Sequence, residues 1–450
     1  MNRRRWLPWI LFGATLWCVG GLLSWFLRSE DHRTVFLPGA TTHGHYQIEL
    51  RCNECHTPMM GVKNDACNRC HAQELAAAND THPLRKFQDP RNADRLEHID
   101  ALQCVTCHRE HRPHLTGVMG VTQPEDYCYH CHQDIAVVRP SHRNMAFNTC
   151  ATAGCHNYHD NTALYEDFIL RHAAQPAVLP RPVRRLLTPP DPAAKPPLTS
   201  ANQPVPAEVI TDQQVLYDWE QSAHARAQVG CADCHQGGQA IAPWTAKPGH
   251  AACARCHDTE TEGFLASRHG MKLAAGLGPM TPAQARLPMH AAAGHKAMDC
   301  NACHGAHRYD TKAAATLSCQ NCHDDEHTRN YAASPHAALW RAETLGAAEP
   351  GTGVSCAACH LPRETHRADG RDLVRVQHNQ NANLRPNEKM LRTVCLDCHG
   401  YGFALDALAD PALVQNNFLG RPARHLDSIR MVTDRAQAHE RPPTKTENPP

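Results

Sequence analysis

The stretch Cys300-Asn-Ala-Cys-His304 is one copy of a pattern that recurs between Cys52 and His399. Ten copies read Cys-x-x-Cys-His, and an eleventh, from Cys150 to His156, has four residues between its cysteines. The copies use 22 of the 23 cysteines, and a histidine follows every pair, although only 34 of the 450 residues are histidine. The paired cysteines are Cys52 and Cys55, Cys67 and Cys70, Cys104 and Cys107, Cys128 and Cys131, Cys150 and Cys155, Cys231 and Cys234, Cys253 and Cys256, Cys300 and Cys303, Cys319 and Cys322, Cys356 and Cys359, and Cys395 and Cys398. The histidines that follow them are His56, His71, His108, His132, His156, His235, His257, His304, His323, His360 and His399.

This motif is the attachment signature of haem c, in which the two thiols form thioethers and the adjacent histidine reaches the iron as proximal ligand. Zinc sites also use paired cysteines, but they do not require the following histidine. Disulfides suit an exported protein, yet they leave the histidine unexplained, and thioredoxin-like motifs occur singly. The sequence therefore predicts eleven covalently attached haems. The motif at Cys150 has the wider spacing that is familiar from small tetrahaem cytochromes.

The composition indicates how such a chain fills its interior. Aromatic residues make up only 6% and the formal net charge is zero, so the basic excess typical of nucleic-acid binding is absent. One motif per roughly 32 residues leaves too little chain for a large apolar core around each. We therefore predict a haem-packed multihaem cytochrome c that is mainly α-helical, with much irregular structure and no significant sheet. Helices are predicted at 213–228, 282–292 and 335–346.

The N-terminus predicts a membrane anchor over residues 1–28. Three arginines, Arg3 to Arg5, precede an uncharged stretch of 22 residues from Trp6 to Leu27, which is long enough to span a bilayer as a helix. The alternative is a signal peptide, whose apolar region is shorter and is followed by a small-residue cleavage site. The positive-inside rule keeps the arginines in the cytoplasm. The expectation is a single-pass protein of the cytoplasmic (inner) membrane with its bulk on the periplasmic side.

The motifs fall into two blocks separated by a proline-rich segment. Residues 29–172 are predicted to form a pentahaem domain and residues 209–420 a hexahaem domain. Between them, residues 173–208 contain ten prolines, a composition that favours an extended, semi-rigid linker. Residues 421–450 are predicted to be a polar tail.

Histidines outside the motifs are candidates for the second, distal ligand of each iron, because imidazole is a common iron ligand. Enough of them remain for every haem to bind two. Four precede a motif by a few residues, namely His45, His98, His224 and His295. Three more follow a motif in the form Cys-His-x-x-His, namely His111, His159 and His307.

The second block resembles the octahaem hydroxylamine oxidoreductase family, which also includes octahaem reductases of nitrogen and sulfur oxyanions. The similarity covers residues 224–405 and lies in the order and spacing of the last five motifs and the residues after them. These are Cys253-Ala-Arg-Cys-His257 with Phe264, Ser267, Arg268 and His269; Cys300-Asn-Ala-Cys-His304 with Gly305-Ala306-His307; Cys319-Gln-Asn-Cys-His323 with Asp325, His327, Tyr331, Ser334, His336 and Trp340; Cys356-Ala-Ala-Cys-His360-Leu-Pro; and Arg392-Thr-Val-Cys395-Leu-Asp-Cys-His399 with Phe403.

The resemblance implies a mainly helical scaffold with closely packed haems, with His269, His307, His327 and His336 as distal ligands. It also implies an open iron face at the seventh haem, attached beside His257. The family's oxidases tether that haem to a tyrosine in a long C-terminal helical region, whereas no tyrosine follows Tyr401 here. The Cys-x-x-Cys-Lys motif of pentahaem nitrite reductases is also absent. The first block loosely resembles small multihaem electron carriers.

Three functions remain open from the sequence. The first is electron transfer from the quinol pool, or from a quinol-oxidising partner protein, to periplasmic acceptors through bis-histidine haems. The second is reduction of a small nitrogen or sulfur oxyanion at the seventh haem, with His257 on the other face of the open iron. The third is an assembly role in which the linker and tail dock partners. His250 and His290 flank the seventh motif and either could close its iron.

Overall fold

Helices dominate the computed structural model, and most of them are only one turn long. The structure describes residues 6–28, 31–42, 44–78, 87–117, 120–139, 142–143, 158–159, 171–172, 175–187, 196–203, 205–206, 209, 212–239, 242–368, 370–384, 389–423, 426, 429–430 and 434. The α-helices are Leu7–Arg28, Cys52–Cys55, Asn64–Ala78, Ala93–His98, Cys104–Cys107, Ile135–Val138, Gln213–Glu220, Ala223–Arg226, Cys231–His235, His250–Cys253, Asp258–Ala266, Met271–Ala274, Cys300–His304, Thr311–Ala315, Leu317–Gln320, Glu326–Asn330, Pro335–Thr344, Cys356–His360, Met390–Thr393, Tyr401–Leu408 and Pro411–Gln415. The 3-10 helices are Asp31–Phe36, Tyr46–Ile48, Pro90–Asn92, Pro113–Leu115, Tyr127–His130, Ser200–Asn202, Pro282–Gln284, Ala291–Ala293, Tyr331–Ala333, Gln380–Ala382 and Cys395–Asp397.

Strands are confined, within the described residues, to two antiparallel hairpins. One pairs His56–Thr57 with Gly61–Val62, and the other pairs Arg363–Ala368 with Arg371–Val376. The predicted fold class, mainly helical with no significant sheet, is confirmed. The longer hairpin was not predicted from the sequence, although Leu373, Val374 and Val376 give its second strand an apolar, β-branched character.

The chain forms two compact units. One consists of Met1–Ala72 and Leu84–Pro124, and the other of Gln73–Pro83 and Glu125–Pro450. The first three motifs lie in the first unit. The second unit contains the remaining motifs, of which the fifth, with Cys150, Cys155 and His156, lies outside the described residues.

The N-terminal helix, Leu7–Arg28, has 22 residues and is long and apolar enough to cross a membrane. None of its residues is buried against the rest of the chain, which fits a segment whose apolar side chains face lipid. The helix fits a single-pass anchor, and a signal peptide would have the same character.

The predicted longer helices have different outcomes. The helix predicted at 335–346 is confirmed as Pro335–Thr344, and the hydroxyl of Ser334 caps it by accepting a hydrogen bond from Ala337 N at 3.1 Å. The helix predicted at 213–228 is divided into Gln213–Glu220 and Ala223–Arg226, because Ser222 caps a new helix.

The helix predicted at 282–292 is wrong. Only two short 3-10 turns form there, Pro282–Gln284 and Ala291–Ala293. Between them Met289 forms a β-bridge with His323, and His290 N donates to Cys322 O at 2.9 Å. The backbone of Met289 and His290 therefore pairs with the ninth motif, and these backbone groups cannot also form helical hydrogen bonds.

The apolar core of the second unit is small and lies beside the last motif. It surrounds the helix Tyr401–Leu408, whose Tyr401 and Leu405 are fully enclosed, and it includes Leu391 and Ile429. Cys395 packs against this cluster. The conventional core thus supports one haem motif, as expected for a chain in which cofactors fill most of the interior.

The described parts of the predicted linker are extended but are bonded to the second block. Leu179 N donates to Cys398 O at 2.8 Å, and Val183 N donates to Asp397 O at 2.7 Å. Arg185 forms an ion pair with Asp397 in which both side chains are largely covered. Residues 196–203 are likewise held, since Leu198 N donates to Ala225 O at 3.0 Å. We name residues 175–187 the strap.

Replacing Arg185 with alanine is expected to loosen the strap. Removing one partner of the ion pair costs about 1 kcal/mol, which raises the open fraction about fivefold. Thermolysin cleavage of the holoprotein between residues 178 and 187 should accelerate by that factor, as measured by mass spectrometry of timed digests. Arg181→Ala, at an exposed arginine of the same segment, is the matched control and should leave the rate unchanged. Equal rates for the two variants would contradict the assignment of the ion pair as the clamp.

Candidate metal centres

Most well-described motifs form about one turn of helix that gathers the reactive groups on one side, and the motif at Cys67 lies within the longer helix Asn64–Ala78. The backbone N–H of the histidine donates to the carbonyl of the first cysteine, at 2.9 Å from His257 to Cys253 and at 2.8 Å from His399 to Cys395. The residue before the first cysteine often caps the turn, as Asp299 does by accepting from Ala302 N at 3.0 Å. Residues three and four apart share a helix face, so both thiols and the imidazole point the same way.

The described cysteines are all free thiols, so disulfides do not explain their pairing. In the same residues, no group of three or more His, Cys, Asp or Glu side chains is arranged to hold a bare metal ion. The zinc alternative therefore finds no support in the described part of the chain. A metal placed at these motifs would need most of its ligands from another group.

Eight motif histidines face a second imidazole across a gap. The ring centroids are 5.9 Å apart for His45 and His71, 6.4 Å for His56 and His111, 6.1 Å for His224 and His257, 6.0 Å for His235 and His307, 6.2 Å for His269 and His323, 6.3 Å for His304 and His378, 6.2 Å for His327 and His360, and 6.1 Å for His336 and His399.

This spacing fits a metal held between two imidazoles. A ring nitrogen binds a transition metal at about 2 Å and lies about 1.1 Å from its ring centroid, so two rings on opposite faces of one metal place their centroids about 6 Å apart. Rings in direct contact would be closer. Because two imidazoles supply only two ligands, a group such as haem would have to supply the others.

Two sets of motifs repeat one arrangement. His45 and His224 each precede a motif and face the histidine of the next motif, His71 and His257. In each set the histidine of Cys-His-x-x-His faces the histidine two motifs earlier, which pairs His111 with His56 and His307 with His235. His111 and His307 both adopt a left-handed backbone, with φ values of 61° and 67°.

The cysteines repeat the same relation. The Cys67 thiol hydrogen-bonds with Cys104, and that of Cys253 with Cys300, so in both sets the second and third motifs touch through their first cysteines. Cys319 and Cys356 are related in the same way. The attachment points of consecutive motifs are therefore in contact within each unit.

Seven of the ten distal candidates face a motif histidine. Within the described residues no facing motif histidine is seen for the other three, His98, His159 and His295, for different reasons. The side chain of His98 lies outside the described residues, and so does His156, the motif histidine nearest in sequence to His159. His295 is exposed, and the ring opposite His304 belongs to His378. Sequence reasoning missed His378 because it follows the hairpin Arg363–Val376 and has no motif near it in sequence.

The seventh motif has a partner as well. The sequence left its second face open, with His250 and His290 as flanking candidates. The ring opposite His257 belongs instead to His224, while His290 lies 3.9 Å from an Asp324 carboxylate oxygen.

Five of the facing rings are anchored at Nδ1 by a carbonyl oxygen. His111 binds Gly39 O at 2.7 Å, His327 binds Val414 O at 2.5 Å, and His378 binds Val376 O at 2.9 Å. The motif histidines His235 and His399 are held in the same way by Thr245 O and Ala177 O. A proton on Nδ1 leaves Nε2 unprotonated, as required for a metal-ligating histidine. At His327 this nitrogen also lies 3.2 Å from Asn417 Nδ2.

The Nδ1 of His269 is bound by a side-chain amide and not by a backbone carbonyl. Gln380 Nε2 lies 3.1 Å from His269 Nδ1, while Gln380 Oε1 is buried without a partner. The alternative amide orientation places Oε1 on the Nδ1–H and satisfies both groups. The arrangement is therefore consistent with an Nε2-ligating ring.

His45 differs because its Nδ1 meets a carboxylate, Glu110 Oε1, at 2.6 Å. Glu110 is also bound by Thr42, whose N lies 2.6 Å from Oε2 and whose hydroxyl lies 2.9 Å from Oε1. Burial raises the pKa of Glu110, but the hydrogen bonds from His45 and Thr42 outweigh it and hold that pKa below its usual range. Glu110 is therefore an anion beside this ring.

Burial keeps several facing rings neutral. Desolvation lowers the pKa of His269, His304, His336 and His360 to about 4, and the facing or neighbouring histidines lower it further. A neutral imidazole is the form that binds a metal. The interior thus favours the ligating state before any metal is considered.

The comparisons with known proteins agree with this geometry. Residues 44–133 and 223–324 each match the family model of cytochrome c3, and each matched region contains four of the motifs. No curated protein matches the chain. The turns of paired cysteines, the facing imidazoles and these two matches support a multihaem c-type cytochrome that transfers electrons.

Acidification is expected to destabilise the fold. An unfolded imidazole takes a proton near its ordinary pKa of 6.5, whereas the four buried rings stay neutral to about 4. Between about pH 6.5 and pH 4 the unfolded state therefore binds more protons than the folded state. The free energy of unfolding falls with pH in this range, by up to about 1.4 kcal/mol per pH unit for each ring. The denaturant midpoint, followed by circular dichroism, should drop from pH 7 to pH 5 and stay level from pH 8 to pH 7. A midpoint that rises on acidification would contradict the neutral buried rings.

Proposed function

We propose that this protein carries eleven haems c and conducts electrons from the membrane to periplasmic acceptors through bis-histidine irons. The observation that carries the proposal is the set of eight facing imidazole pairs, all with centroids 5.9 to 6.4 Å apart. The fifth motif, at Cys150, is included in the count of eleven because its cysteines and histidine occur in the same order as in the other ten.

The ligand pairs follow from the facing rings. Each motif histidine is the proximal ligand, and the ring opposite is the distal ligand. His378 takes the distal role at His304, and His295 is left without a facing ring in the described part of the chain. His98 and His159 remain candidates for the haems of the third to fifth motifs.

The chain's own residues prepare these sites for electron transfer. A bound haem supplies a reversible one-electron iron couple. Hydrogen bonds at Nδ1 orient one ring in several of the pairs, such as His111 and His327, and burial restrains others. The ligands therefore need little rearrangement when the charge of the site changes. The thioether cysteines hold the edge of the group, and the contacts of Cys67 with Cys104, Cys253 with Cys300 and Cys319 with Cys356 favour closely spaced haems.

The membrane side of the proposal rests on the helix Leu7–Arg28. Its length and apolarity suit a span, and Arg3 to Arg5 favour a cytoplasmic N-terminus. This arrangement supports the quinol pool, or a quinol-oxidising partner protein, as electron donor, and it supports a periplasmic location for the motifs.

The oxyanion-reductase alternative needs an open iron at the seventh haem. The ring of His224, 6.1 Å from that of His257, supports two ligands there instead. Electron transfer is therefore the function that the geometry favours.

Replacing His378 tests the ligand set. His378→Ala should leave the iron at His304 with one histidine and produce one high-spin signal in the electron paramagnetic resonance spectrum, where the unmodified protein shows low-spin signals. His295→Ala is the matched control and should remain low-spin. The intact mass should exceed that of the polypeptide by eleven haems in all three proteins. A high-spin signal from His295→Ala alone would reverse the assignment.

Glu110 should set the reduction potential of the second haem. Its negative charge on His45 Nδ1 favours the oxidised, more positive iron, so Glu110→Gln should raise one potential by about 60 mV, equivalent to about tenfold in a one-electron equilibrium. Spectroscopic potentiometric titration measures it. Glu97→Gln, at an exposed glutamate, should change nothing. A lowered potential in Glu110→Gln would refute the electrostatic role.

A further inference from the structure

His224 differs from the other facing rings at its Nδ1 nitrogen. Its Nδ1 is buried and has no hydrogen-bond partner, and among the facing rings of the described chain this is true of His224 alone. Protein atoms by themselves cover this nitrogen, so a group bound at the opposite ring nitrogen does not reach it. An imidazole that binds a metal through Nε2 carries its proton on Nδ1. His224 thus buries an unpaired N–H.

The repeated arrangement explains how the partner was lost. His45, the counterpart of His224, has its Nδ1 bound by Glu110, the residue directly before His111. The residue directly before His307 is Ala306, and a methyl group accepts no hydrogen bond. The edge of the Tyr309 ring packs against His224 instead, with centroids 4.5 Å apart and planes at 83°. Packing alone therefore holds this ring.

We propose that His224 is a displaceable ligand and that the seventh haem is a binding site for small uncharged diatomic molecules, namely carbon monoxide and nitric oxide. This inference rests on the proposed function, because it requires a haem between His224 and His257. The inference distinguishes the seventh haem from the other haems with facing rings, which keep both histidine ligands and serve only as electron carriers.

The exchange is favoured by the unpaired N–H. While His224 is bound, its Nδ1–H lacks a partner, and burying a donor in this state costs free energy. When the ring turns out, that N–H meets water and the cost is removed. In the exchange the bond between iron and His224 Nε2 breaks and a bond between ferrous iron and the diatomic ligand forms. No electron is gained or lost, and the released imidazole is neutral and keeps its Nδ1 proton.

The chemistry of the ligand also favours entry. A small uncharged ligand pays little desolvation on entering an apolar haem pocket.

The test counts carbon monoxide molecules bound per reduced holoprotein by absorbance titration. The unmodified protein should bind at least one. His224→Ala should leave the count unchanged, because the same haem is opened permanently, and should bind on the order of tenfold faster because no histidine must leave. His327→Ala is the matched comparison: its ring is anchored at 2.5 Å by Val414 O, so its removal should open a further haem and raise the count by one.

Two results would overturn the inference: no carbon monoxide bound by the unmodified protein, or a count in His224→Ala that is higher by one. The proposed function is tested separately by the oxidised variant. His224→Ala should show one new high-spin signal that added imidazole returns to low-spin, and the absence of that signal would refute the pairing of His224 with His257 itself. The titration of the unmodified protein decides the matter even where the variant folds poorly.

Discussion

The structure depends on one constraint, the placement of two imidazole rings about 6 Å apart in each pair. A single helical turn presents the two cysteines and one histidine, but it cannot supply the second histidine, which must come from elsewhere in the chain. The short helices, tight turns and extended connections bring those second rings into place. Regular packing of long helices would leave the gaps too narrow, and only the cluster around Tyr401 and Leu405 resembles a conventional core.

The hydrogen bonds at Nδ1 give the paired rings different properties. A carbonyl oxygen orients His111, His327 and His378 without adding charge. A carboxylate does so for His45, and no group does so for His224. A hydrogen bond at Nδ1 raises the basicity of an imidazole that binds a metal through its other nitrogen. Histidine pairs with different Nδ1 partners are therefore expected to differ in reduction potential and in affinity for added ligands. The replacement of Glu110 by Ala306 in the repeated arrangement is the largest such difference.

The repeat also gives the chain its organisation. Two regions match cytochrome c3, and in both the same pairs of motifs share rings and touching cysteines. The last two motifs extend the second region, where the strap binds Asp397 and Cys398 of the final motif. The proline-rich segment that the sequence suggests as a spacer is thus partly a structural element of the second block, since prolines fix an extended backbone while their neighbours still donate hydrogen bonds.

The sequence by itself predicted the cofactor chemistry and the motif histidines, and it correctly predicted the mainly helical class, because these predictions depend on local spacing within five or six residues. It also indicated the distal candidates that lie close to a motif, such as His45 and His307. It did not identify His378, it gave His224 no particular haem, and it predicted a helix at 282–292 where Met289 and His290 support the ninth motif. These features were decided by tertiary structure, because a distal imidazole need only approach the iron in space, and the partner of its Nδ1 is set by whichever backbone or side chain packs behind it.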